Sequence, residues 1–79
     1  MTTNTEVTFV IKEHIGVIDN KHNDWTKEIN IVSWSGGPYK YDIRDWDSSH
    51  ERMSRGITLT EDQALKLYEL LNEHFKNTY

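Results

Sequence analysis

Hydrophobic and polar positions along the chain change period once, dividing it into a longer strand-like part and a shorter helical end. Val7, Phe9 and Ile11 alternate with Thr8, Val10 and Lys12, the period of two that marks a half-buried strand. Ile15, Val17 and Ile18 carry the apolar character past Gly16, so Val7 to Asp19 reads as one long strand, or two short ones, bent or bulged near that glycine. After the turn-prone Asp19 to Asp24, a second strand runs from Thr26 to Trp34 with Ile29 and Ile31 on one face. Ser35-Gly-Gly-Pro38 closes a hairpin onto a third strand, Tyr39 to Trp46. There Tyr39, Tyr41 and Ile43 lie opposite Lys40, Asp42, Arg44 and Trp46. Asp47 to Arg55 is a polar loop, and Gly56 to Leu59 a short fourth strand with Ile57 and Leu59 inward.

Thr60 and Gln63 have capping-box spacing, and Glu61 and Asp62 fall where a helix dipole favours negative charge, so a helix begins at Glu61. Ala64, Leu67, Tyr68, Leu71 and Phe75 form its apolar stripe. Leu65 and Leu70 widen that stripe beyond half the circumference, more than one sheet can cover. The pattern therefore predicts an α+β fold: four antiparallel strands, then one C-terminal helix packed on its own sheet and on a symmetry mate. Leu65, Tyr68, Leu71 and Phe75 are the residues expected at that homodimer interface.

Composition bounds this picture without altering it. A chain of 79 residues is read as one domain spanning 1–79, with residues 1–6 as a disordered polar tail. A domain this small is marginal alone, which favours self-association. The absence of cysteine excludes disulfides and thiolate zinc sites, and with no export signal or membrane-length apolar run the expectation is a cytoplasmic protein that can associate with the nucleoid. Nine Lys and Arg stand against thirteen Asp and Glu, which argues against indiscriminate polyanion binding. Between Asn20 and Thr60, however, six basic side chains balance six acidic ones, so the acidic excess lies at the chain's two ends.

The alternation that turns Ile29 and Ile31 inward turns Asn30, Val32 and Trp34 the other way, and Lys40, Arg44 and Trp46 share a face on the third strand. With Ser35 opposite Tyr39, the outward pairs are Trp34 with Lys40, Val32 with Asp42, Asn30 with Arg44, and Glu28 with Trp46. From Lys40 to Trp46 this track spans about 20 Å, room for a few unstacked nucleotides. Aromatic faces stack on bases without reading sequence, and Lys or Arg beside them neutralises phosphates, so the pattern points to single-stranded DNA or RNA. The alternative is a protein–protein interaction module that uses the same tryptophans and the leucine-rich helix as contacts.

Catalysis is not expected. Strand alternation separates Asp42 from Asp45, so Asp42, Asp45 and Asp47 read as an acidic strand end rather than a two-metal nuclease site. His14, His22, His50 and His74 lack ligand spacing and read as solvent-exposed, Gly36-Gly37 lacks the context of a phosphate loop, and no nucleophile motif occurs. No cofactor, metal, membrane or small-molecule substrate is implied.

The run Tyr41-Asp-Ile-Arg-Asp-Trp46, followed by Arg55-Gly-Ile-Thr-Leu-Thr60 and an amphipathic helix, resembles the positive cofactor 4 family of transcriptional coactivators. The hallmark of that family is an I-D-I-R-E-type strand, a loop, a K-G-I-S-L-type strand and a terminal helix. Trp25-Thr-Lys-Glu-Ile-Asn30, Val32-Ser-Trp34 and His50-Glu-Arg-Met53 look closer still to its short bacterial YdbC-type members. The resemblance implies a homodimer of curved four-stranded sheets, with the helix at the interface, that binds single-stranded DNA across the sheet with little sequence preference. By position it matches Trp34 to an aromatic that stacks on bases at the end of the second strand, Trp46 to an aromatic at the end of the third and Arg44 to the Arg of the I-D-I-R strand, and it puts Lys40 and Arg55 near basic positions. Trp25 and Lys27 are YdbC-like features, although strand parity puts Lys27 on the face of Ile29. Ser35 departs from the eukaryotic pattern, where a lysine commonly follows the aromatic, and so does the lack of a serine-rich, basic N-terminal region; together they imply weaker binding.

Overall fold

The structure is a computed structural model, and it describes residues 8–78. The expected tail at residues 1–6, and Val7 of the first strand, lie outside the described residues. Strand β1 runs Phe9–Asn20, β2 Thr26–Trp34, β3 Tyr39–Trp46 and β4 Ile57–Leu59, and helix α1 runs Glu61–Thr78. The strands form a single antiparallel sheet in the order β1-β2-β3-β4, so every connection is local, and the α+β architecture is the one the periodicity predicts.

The bend anticipated near Gly16 is one of three irregularities in β1. Its register against β2 slips between Ile11 and Glu13, between His14 and Gly16, and between Val17 and Asp19, leaving Lys12, Ile15 and Ile18 as extra residues. Ile11, His14 and Val17, three positions apart rather than two, consequently oppose Val32, Asn30 and Glu28. This explains why alternation fades from the sequence after Lys12.

The hairpin between β2 and β3 differs from expectation by two residues. The last pair is Ser33 with Tyr39, enclosing five residues, so Val32 opposes Lys40, Asn30 opposes Asp42, and Glu28 opposes Arg44. Ser35 and Gly36 both take positive φ (52° and 74°), Gly37 N–H donates to Trp34 O at 2.9 Å, and the Ser33 hydroxyl donates to Gly37 O at 2.7 Å. These bonds define the turn and set the register. An even-numbered shift leaves parity intact, so the residues predicted to share a face do share it.

The exposure of the two faces is the reverse of what the sequence suggests. Ile29, Ile31, Tyr41 and Ile43, expected inward, are only half-buried, whereas Val32, Trp46, Asn30 and Asp42, on the face expected to be solvated, are fully buried. Two elements account for this: β1 lays Phe9 and Ile11 along that face, and the loop after β3 folds back over it through a Trp46–Met53 bridge. Helix α1 begins with the predicted capping box, in which Thr60 N–H donates to Gln63 Oε1 (2.9 Å) and Gln63 N–H donates to Thr60 Oγ1 (3.1 Å). Its first turns approach β3 and β4 around Tyr41, and none of its described residues is buried.

Candidate nucleic-acid interface

Pairing of β1, β2 and β3 gathers Phe9, Trp34 and Trp46 into one aromatic cluster. Phe9 lies 5.6 Å from Trp34 and 5.1 Å from Trp46, centroid to centroid, and the two indoles are nearly parallel, 10° apart at 6.3 Å. His50, from the loop after β3, packs 5.4 Å from Trp46. Enclosed in this way, Trp46 is 0% exposed. It projects from the predicted face, yet it has no accessible ring to offer a base. Its place is beneath Trp34, which remains half-exposed.

Arg44 adds the next layer. Its guanidinium carbon sits 4.4 Å from the Trp34 ring centroid, while Nε and Nη2 donate to the two carboxylate oxygens of Asp42 at 2.7 and 2.6 Å and Nη1 donates to Ser54 O at 3.3 Å. Asp42 is completely buried, so this bidentate pair balances a carboxylate that would otherwise be costly to desolvate. Arg44 is thereby fixed in place against the indole rather than reaching freely into solvent. Neither the Trp34 nor the Trp46 indole N–H has a hydrogen-bond partner among the described residues, a cost of about 1–3 kcal/mol for each buried donor.

Trp34, Pro38, Lys40, Arg44 and Thr58 line an open depression of about 380 Å³. Lys40 makes no ion pair among the described residues and so brings an uncommitted positive charge to its edge. Asn30 belongs to a second, polar group on the same face: its Oδ1 is 2.7 Å from His14 Nδ1, and its Nδ2 donates to Glu28 Oε1 at 3.1 Å. Glu28 also accepts from Thr26 Oγ1 (2.5 Å) and lies 3.0 Å from His50 Nε2 through both oxygens. Burial alone would raise the Glu28 pKa, but the hydrogen bonds from Thr26, His50 and Asn30, with the charge of His50, hold it below the usual carboxylate value.

The remaining predicted residues lie apart. Lys27 is on the opposite face, 3.0 Å from Asp45, which Lys21 also approaches at 3.7 Å. Trp25 sits in the β1–β2 connection, its N–H donating to His22 O, and Arg55 is exposed just before β4. Sequence reasoning put Glu28 on this face but did not single out Phe9, Thr58, His14 or His50 as site residues. The two histidines in particular, read there as merely solvent-exposed, are bonded into the sheet. Only the bulges of β1 and the fold-back of the loop bring them to this face, and neither leaves a motif.

The order of strands and the final helix are consistent with one known α+β architecture. The model of the family described as Transcriptional Coactivator p15 (PC4) matches residues 21–70, from the β1–β2 connection into α1. The chain belongs to the positive cofactor 4 family. An uncharacterized protein of Treponema pallidum (strain Nichols) is 33% identical over 76 residues, covering 96% of this chain and 89% of the relative. Positive cofactor 4 proteins are nucleic-acid-binding coactivators and not enzymes. In this member Asp42, Asp45 and Asp47 each have a separate structural partner: Arg44, the lysine pair, and the backbone N–H groups of Glu51 and Arg52. Among the described residues no helix is long and apolar enough to cross a membrane.

Proposed function

We propose that this positive cofactor 4 protein is a homodimeric, cytoplasmic single-strand-binding protein with little sequence preference, acting where transcription, replication or repair exposes DNA. The observation that carries this reading is the depression beside Trp34, where a half-exposed indole backed by Trp46 and Phe9 stands next to the uncommitted ammonium of Lys40. An aromatic face with an adjacent cation suits an unstacked base and its phosphate, whereas a duplex hides its base faces. Trp34 and Arg44 form the stacking wall, Lys40 meets phosphate, Trp46 holds Trp34 in position, and the exposed Arg55 offers a further cation outside the depression. Backbone contacts of this kind serve RNA as well as DNA.

The dimer rests on helix α1. Leu65, Tyr68, Leu71 and Phe75 are 54, 62, 46 and 46% exposed, and a lone helix of this length gains its stability mainly from tertiary packing. A second copy, covering these residues together with the half-buried Ile29, Ile31 and Tyr41 face, supplies that packing.

Tryptophan fluorescence titrated with oligo-dT and with a matched duplex, at low and moderate salt, tests the function. Single strands are expected to quench and duplex is not. Trp34→Ala should weaken binding by about 1–3 kcal/mol, and Lys40→Ala should weaken it and lower the salt slope by roughly 0.7, the share of a single neutralised phosphate. If oligo-dT neither quenches nor shifts in a mobility assay, the reading fails, and the same face becomes the place to look for a protein partner. Sedimentation equilibrium should give twice the 9.4 kDa of one chain.

A further inference from the structure

The His14–Glu28–His50 group has a feature that the stacking track does not use. Glu28 is only 3% exposed, and two of its hydrogen-bond donors, Thr26 and Asn30, are neutral. A buried carboxylate needs a compensating charge. The nearest strand partner that could provide it, Arg44, is committed to Asp42. The remaining sources, only when protonated, are His50, with Nε2 3.0 Å from both Glu28 oxygens, and His14, with Nδ1 3.5 Å from Oε1.

These bonds also decide how each imidazole is used. His14 Nδ1 faces the acceptor Asn30 Oδ1 and His50 Nε2 faces Glu28, which leaves His14 Nε2 and His50 Nδ1 outside the network. In a neutral ring such a nitrogen is an acceptor; after protonation it is a donor carried on a cation. Both side chains are partly open to solvent, 51 and 39% exposed, and with Ile11, Asn30 and the Glu28 carboxylate they line a pocket of about 260 Å³. Asn30 and Trp34 are four residues apart on β2, roughly 13 Å along one strand, so this pocket and the Trp34 depression lie on one path.

We propose that His14 and His50 form a proton-gated subsite for a phosphodiester of the bound single strand, so that binding takes up protons. The inference rests on the single-strand reading above. The charged groups around the pocket are few: His14 from β1, with Glu13 turned to the other face; Glu28 from β2; the Arg44–Asp42 pair from β3. From the loop come His50, Asp47, Glu51 and Arg52, with the Asp47 oxygens occupied by the Ser49 hydroxyl and the Glu51 and Arg52 N–H groups.

The test measures affinity for a dT oligonucleotide, whose base does not protonate in this range, from pH 5.5 to 8.5 at constant ionic strength. Wild type is compared with His14→Gln, His50→Gln and the double variant. Wild-type affinity should rise as pH falls, by up to about tenfold per pH unit for each proton taken up, and the double variant should lose that slope. A flat wild-type profile, or a slope kept by the double variant, overturns the subsite while single-strand binding itself persists; absence of binding at every pH defeats the function instead. Should circular dichroism show the double variant unfolded, His14→Gln alone must reduce the slope, and in wild type the imidazole NMR signals of His14 and His50 must shift on adding oligo-dT at pH 6.5. Unmoved signals overturn the proposal. Equal shifts produced by inorganic phosphate alone would make this a free-anion site and overturn its assignment to the strand.

Discussion

Gly56 has no room for a side chain. A Cβ there would lie 2.3 Å from Ile43 O and 2.4 Å from Arg44 Cβ, so Gly56→Ala must displace the strand that carries Arg44. A loss of about 2–4 kcal/mol in urea unfolding is expected, together with weaker single-strand binding, because Arg44 would move off Trp34. At Gly16 a Cβ meets nothing within 4 Å, and Gly16→Ala should leave the urea midpoint nearly unchanged. Asp42→Ala should be costlier than either, about 3–5 kcal/mol, since it strands the half of a buried pair that remains. Conversely Arg44→Lys keeps the charge but loses the bidentate geometry, and should fall between wild type and Asp42→Ala in stability. Three carboxylates are held below their ordinary values. Burial raises Glu28, but its hydrogen bonds outweigh this and lower it; Lys27, then Lys21, lower Asp45; the N–H groups of Arg52 and Glu51 lower Asp47. A depressed carboxylate stabilises the fold fully above its unfolded pKa, about 4, and loses that contribution as pH falls through the lower folded value. Circular dichroism should therefore show cooperative loss of structure beginning below about pH 4, shifted upward in Asp47→Asn.

At the scale of elements, β2, β3 and the helix start were legible because each obeys one local rule. Strict alternation fixes Thr26–Trp34 and Tyr39–Trp46, and the Thr60–Gln63 spacing fixes the cap. Thr60→Ala should cost about 1 kcal/mol and show as earlier loss of helical signal on heating. The hairpin register was not legible, because the length of the loop depends on the Ser33 hydroxyl and the positive φ of Ser35, a conformation the residue type does not announce. Nor was the site complete in the sequence. Trp34, Lys40 and Arg44 followed from parity, but the burial of Trp46 depends on Phe9 arriving from β1 and His50 arriving from the loop, and Phe9 is far from both in the chain. Asp47 anchors that loop with both carboxylate oxygens, so the acidic strand end governs the histidine as well.

For the molecule as a whole, the sheet face that was read as solvated serves as its packed side, and the leucine-bearing helix is left uncovered. The described residues extend over 56 × 30 × 19 Å. If a second copy completes the fold, the unfolding midpoint should rise with protein concentration and fall on dilution. Leu65→Glu and Leu71→Glu, placed at the uncovered face, should give the 9.4 kDa monomer and lower that midpoint together. The three evenly spaced slips in β1 bear on solubility too. This strand is an outer margin of the sheet and shows Val10, Ile15, Val17 and Ile18 to solvent, the ingredients of a template for fibrous stacking. An added chain needs a regular ladder of donors and acceptors, and a ladder interrupted every third residue offers no length on which to zip; straightening it by deleting Lys12, Ile15 and Ile18 together should give a protein that scatters light and binds thioflavin.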